Sequence, residues 1–120
     1  MAEAAGLSPR EATGPTGRRS PLAHAAARLA EATRAAGGAV SLTEVPFLAQ
    51  VNLRLDPKGP AADAVRLELG VPLPTEPGTT AGAGPLTVAW LGPDEWLVVG
   101  PPGTEGELEV RLRSAVGAAH

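Results

Sequence analysis

Two adjacent acids, Asp94 and Glu95, are the first residues in this chain that could do chemistry, because a close pair of carboxylates can divide a general acid and a general base role between them. Their setting gives them another job. In WLGPDEW, Pro93 and Asp94 fit the two central positions of a type I turn, with Gly92 before and Glu95 after, so we read both acids as turn residues. His24 and His120 are the only histidines and lie at opposite ends of the chain. His24, beside alanines, reads as a surface or cap residue. With no cysteine present, disulfides, thiolate zinc sites and cysteine nucleophiles are excluded. Ser20, Ser41 and Ser114 fall in a cap, an extended piece and a helix, too scattered for a triad. Residues 71–85, VPLPTEPGTTAGAGP, are rich in glycine, but lack the Lys-Ser or Lys-Thr of a phosphate-binding loop and the spacing of a dinucleotide fingerprint, and no helix start follows them. No catalytic, metal-binding or cofactor-binding residues are therefore expected.

The elements that would position any site are those of one small domain. At 120 residues the chain suits a single core. A net charge of −3 gives no basic footprint for nucleic acid. Residues 1–19 mix Ala, Gly, Pro, Ser and charge without periodicity and read as a disordered tail. Lacking a long apolar run, they read as neither a signal peptide nor a membrane span, and a cytoplasmic protein without membrane contact is the simplest expectation.

Residues 20–120 then read as one α+β domain. Ser20 as N-cap and Pro21 at the first helical position open a helix whose stripe carries Leu22, Ala26 and Leu29, and Gly37 and Gly38 end it. Residues 40–45 are a short extended piece closed by Pro46. From Phe47 the pattern alternates strictly. Phe47, Ala49, Val51, Leu53 and Leu55 point to a core, and Leu48, Gln50, Asn52 and Arg54 point away. After the turn DPKG, residues 60–69 read as a helix stopped by Gly70, although Val65, Leu67 and Leu69 also alternate in a strand-like way. Residues 71–85 read as a long connection without a regular element.

The hairpin LTVAWLGPDEWLVVG follows and holds both tryptophans. With the turn centred on Pro93 and Asp94 and no irregularity, Leu91 lies opposite Trp96 and Trp90 opposite Leu97. This puts Leu86, Val88, Trp90, Leu97 and Val99 on the core face, and Thr87, Ala89, Leu91, Trp96 and Val98 on the other. Thr104 with Glu107 reads as a capping box for a last helix, with Leu108, Leu112, Ala115 and Val116 inside, Glu107–Arg111 and Glu109–Arg113 paired outside, and Gly117 as its end.

The resulting order, strand-helix-strand-strand-helix after an N-terminal helix, is an incomplete ferredoxin-like split βαβ sheet. The right-handed crossover puts the first strand beside the third, both helices on one face, and leaves the first strand with a free edge. The open face is predicted to carry a partner interface of Gln50, Asn52, Arg54, Leu91, Trp96 and Val98, with Trp90 fold-critical and Trp96 at the contact.

The stretches SPLAHAAARLA, VSLTEVPFLAQVNLRLDPKGPAADAVRLELGVPLPTEPGT and WLGPDEWLVVGPPG together resemble the gamma subunit of heterotetrameric sarcosine oxidase, over about residues 20–103. QVNLR with DPKGPAA and LGPDEWLVV are specific in combination. LGPDEWLVV alone is similar to the folate-binding domain of the glycine cleavage system aminomethyltransferase. The resemblance implies an accessory chain that works with alpha, beta and delta subunits in a complex demethylating sarcosine to glycine. The one-carbon unit passes to tetrahydrofolate or leaves as formaldehyde, with release of hydrogen peroxide. It also implies that FAD, FMN, NAD and tetrahydrofolate belong to the other subunits. Members of that family are longer, so a fragment or a short form is expected. The alternatives are a small folate-binding module stacking its ligand on Trp96, or a fragment without function.

Overall fold

The computed structural model describes residues 17–118, which divide between two compact units meeting after Phe47. Residues 1–16 of the expected tail, and His120, lie outside the described residues.

The first unit is a short 3-10 turn, Ala23–Ala25, running into helix α1, Ala26–Ala35. The helix starts later than Ser20 and Pro21 predict, because the Ser20 hydroxyl is engaged elsewhere. It donates to Glu44 Oε1 at 2.7 Å, and the Leu22 N–H donates to Glu44 Oε2 at 3.0 Å. The Glu44 carboxylate thus ties down residues 20–22 ahead of the helix. Gly37 and Gly38, both at positive φ, follow the helix as predicted. Buried Thr33 accepts the Leu42 N–H on the hydroxyl that it donates to Leu29 O, which ties the following segment to α1. Residues 41–46 form no strand, and Phe47 sits in a bend at φ 61° with Arg18 over its ring at 5.2 Å.

The second unit holds β1 (Ala49–Arg54), α2 (Pro60–Leu69), β2 (Thr80–Ala83), β3 (Leu86–Gly92), β4 (Glu95–Gly100) and α3 (Glu105–Ala118). They build a four-stranded antiparallel sheet in the order β1-β4-β3-β2. The α+β class, the pairing of β1 with the last hairpin strand and the single helix layer are as the sequence predicts. Proline at the start of α2 and Gly70 in the left-handed conformation at its end (φ 67°) decide that segment as helix. Its 3.6-residue period buries Ala62, Val65 and Leu69 and leaves Leu67 in solvent. Leu108 and Leu112 of α3 join them in one core with Ala49, Leu53, Leu86, Val88, Trp96 and Val98. Each buried valine or leucine among them contributes roughly 1.5–3 kcal/mol on burial.

Four expectations are corrected in this unit. Within residues 71–85 a regular element does form: β2 pairs with β3 through Thr80↔Ala89 to Ala83↔Leu86. Its TAGA sequence carries almost no strand propensity, and its place is set by the neighbouring strand. The preceding loop is part of the core, with Val71 and Leu73 buried. At α3, the Thr104 hydroxyl donates to Pro101 O at 2.7 Å instead of closing a capping box, and the helix runs through Gly117 to Ala118. Arg111 turns away from Glu107 and reaches Glu68 of α2, with Nε 2.9 Å from Glu68 Oε2 and Nη2 2.9 Å from its carbonyl, so it staples the two helices together. The Glu109–Arg113 pair forms as predicted, at 2.9 Å.

Candidate partner interface

The hairpin decides what the open face displays, and one residue decides the hairpin. Gly92 pairs with Glu95 across the Pro93-Asp94 turn as expected, but the next pair is Trp90↔Trp96, because Leu91 is accommodated as a bulge. One extra residue in β3 shifts the register by one, and a shift of one exchanges the faces of every residue in β4. Trp96 and Val98 therefore point to the helices, 1% and 0% exposed, while Leu97 and Val99 look out half-buried. Trp90, on the same face as Trp96 but nearer the sheet end, is only half-buried.

The sequence-predicted interface is corrected accordingly. Gln50, Asn52 and Arg54 lie exposed on the open face of β1, where alternation placed them. Leu91 is 47% exposed at the bulge. Trp96 and Val98 are core residues and cannot meet a partner. Trp96 Nε1–H donates to Pro74 O at 2.7 Å, so the ring is held from behind by the 71–79 loop with its polar atom satisfied. This also removes the surface on which the folate-stacking alternative was built.

The observed open face comes in cross-strand rows. Arg54 faces Glu95. Asn52, Leu97, Ala89 and Thr80 form a second row, and Gln50, Val99, Thr87 and Gly82 a third. An apolar centre of Leu97, Val99 and Ala89 is thus flanked by polar residues of both edge strands. Sequence reasoning assigned Leu97 and Val99 to the core, and only the bulge, which leaves no mark in residue type, could have revealed them.

Glu95 organises the polar corner. Its Oε2 accepts from Asn52 Nδ2 at 2.8 Å and its Oε1 from Arg54 Nη2 at 3.2 Å. The Asn52 hydrogen bond is the largest influence, and with the lesser hydrogen bond and charge of Arg54 it outweighs the opposing desolvation and holds the carboxyl below its ordinary value. An acid that donors keep ionised is a poor general acid, and Asp94 beside it is exposed in the turn. Among the described residues no three His, Asp or Glu side chains gather as metal ligands, and no helix is long and apolar enough to cross a membrane.

What fold and face define together is a small split βαβ domain with a helix-covered side, an amphipathic open side and β1 and β2 as its edge strands. Residues 54–120 match the model of the sarcosine oxidase gamma subunit family, and the chain belongs to that family. It is 42% identical over 103 residues to the sarcosine oxidase subunit gamma of an Arthrobacter species, covering 83% of this chain and 50% of the relative. To that of Corynebacterium strain P-1 it is 40% identical over 101 residues, covering 83% and 48%. A solved heterotetrameric sarcosine oxidase from Corynebacterium sp. U-96, in complex with pyrrole 2-carboxylate, contains a chain that superposes with a TM-score of 0.69 at 38% identity, covering 83% of this chain and 51% of that one. The chain spans about half the length of the curated relatives it matches.

Proposed function

We infer that this chain is an accessory, non-catalytic subunit of a heterotetrameric sarcosine oxidase and that it docks on the other subunits through the open face of its sheet. The observation that carries this reading is the row Asn52-Leu97-Ala89 beside Gln50-Val99-Thr87: apolar side chains brought to the middle of an exposed sheet face by a bulge, with hydrogen-bonding groups around them, as at protein interfaces. Family membership supports it. In this reading the partners are alpha, beta and delta subunits, which hold the FAD, FMN, NAD and tetrahydrofolate. The complex converts sarcosine to glycine, passing the one-carbon unit to tetrahydrofolate or releasing formaldehyde, with formation of hydrogen peroxide. A cytoplasmic setting belongs to the same reading, and a chain without cysteine suits it.

The test is co-expression with the other oxidase subunits of the same cell, followed by size-exclusion chromatography. The chain is expected to co-elute with them, and Leu97→Lys, which puts a charge in the centre of the face, to weaken co-elution at least about tenfold while its thermal midpoint stays close to the parent's. Assembly of the others without this chain would overturn the proposal.

A further inference from the structure

In the first unit, residues 41–46, SLTEVP, run on from α1 without turn or bend, yet pair with no strand among the described residues. Val40, Leu42, Thr43 and Val45 are residue types that suit a strand. Val40, Leu42 and Val45 are each more than half exposed, and a unit built round one short helix has too little surface to cover them itself. Single exposed apolar residues are ordinary. What marks this segment is its backbone.

Two side-chain anchors hold it in place. The Leu42 N–H donates to Thr33 Oγ1 at 3.3 Å, and the Glu44 carboxylate accepts from the Ser20 hydroxyl and the Leu22 N–H. In extended backbone successive residues turn their N–H and C=O groups to opposite sides. Leu42 gives its N–H to α1, so Ser41, Thr43 and Val45 turn theirs away, and these N–H groups have no acceptor among the described residues. Outward donors at every second residue are what the unpaired edge of a β-sheet receives. Because Thr33 and Glu44 fix the segment before any partner arrives, little ordering is left to oppose binding. Pro46, which has no N–H, ends the run.

The stretch aligned with the Arthrobacter subunit covers 83% of this chain, so wherever it begins it takes in residues 41–45. The same share matches a chain of the solved heterotetrameric oxidase. The segment thus belongs to the part held in common with chains that sit beside other subunits. We propose that residues 41–45 are a strand donor, which on assembly adds through main-chain hydrogen bonds to the free strand edge of a sheet in another oxidase subunit. This rests on the proposed assembly and is independent of the open face as its docking surface.

Amide hydrogen exchange on the chain alone and in complex with the other oxidase subunits tests it. The amides of Ser41, Thr43 and Val45 are expected to exchange fast in the free chain at any concentration, and at least about a hundredfold more slowly in the complex. A complex in which these amides stay fast overturns the strand donor and leaves the proposed function standing, whereas failure to form any complex overturns both. Protection already present in the dilute free chain would mean that its own residues pair with the segment, and protection that grows with concentration would mean that a second copy does. Either result overturns the proposal. As a second measurement, Thr43→Pro removes the central outward donor and Thr43→Ala keeps it. Proline should weaken co-elution with the other subunits at least about tenfold, and alanine should leave it as in the parent, with the thermal midpoint of the free chain unchanged in both. Equal effects of the two substitutions on co-elution would show a contact made by side chains and contradict the donor.

Discussion

Trp96 and Trp90 face one another across β4 and β3, but their surroundings differ. Trp96 is enclosed by the core and anchored to Pro74 O, whereas Trp90 keeps part of its ring in water. Trp96→Ala is expected to cost about 3–5 kcal/mol, the range for emptying a large buried site, and Trp90→Ala at least about 1 kcal/mol less, as read from urea unfolding followed by circular dichroism. The reverse order would mean that the bulge at Leu91 is absent. Glu95 gives a second residue-scale expectation. Its folded-state carboxyl is held below the ordinary 4.5. It therefore stabilises the fold above that value, and the stabilisation is lost as pH falls through the lowered one. Urea midpoints measured from neutral pH downward should stay level with respect to this group and then decline below about pH 4.5, with a shallower decline for Glu95→Gln. Because the Asn52 bond is the largest cause, Asn52→Ala should return the Glu95 titration, followed by NMR, closer to normal than Arg54→Ala does.

At the scale of elements, what was legible in the sequence was what local chemistry dictates. Alternation from Ala49 to Arg54 gave β1 and its faces, proline and glycine punctuation gave α2 against a strand-like pattern, and Pro93-Asp94 gave the turn. The misses share one cause. Leu91 as a bulge, TAGA as a strand, Glu44 engaging the Ser20 hydroxyl and Arg111 reaching Glu68 are all set by partners distant in sequence, and residue type alone does not announce them. The bulge weighs most for the candidate site: it left Gln50, Asn52 and Arg54 correctly placed but exchanged Trp96 and Val98 for Leu97 and Val99. Gly70 offers a check on the punctuation. A Cβ there would meet nothing within 4 Å, so the effect of Gly70→Ala is purely conformational, from φ 67°. It should lower stability by about 1–2 kcal/mol in thermal or urea unfolding. A neutral outcome would show that the end of α2 can close another way.

At the scale of the molecule, the second unit has two distinct sides: a helix layer locked by Arg111 and Glu68, and an open face centred on Leu97 and Val99, which we propose as the docking surface. The chain contains no cysteine, so single cysteines report on one place each. Thr87→Cys lies exposed on the open face and Leu67→Cys, at a position 85% exposed, lies on the outer surface of α2. Maleimide labelling of each variant, alone and assembled with the other oxidase subunits, is the most direct measurement of the claim that the open face is the docking surface. Assembly should slow labelling at position 87 at least about tenfold and leave position 67 unchanged. Protection at 67 with free labelling at 87 would contradict the account.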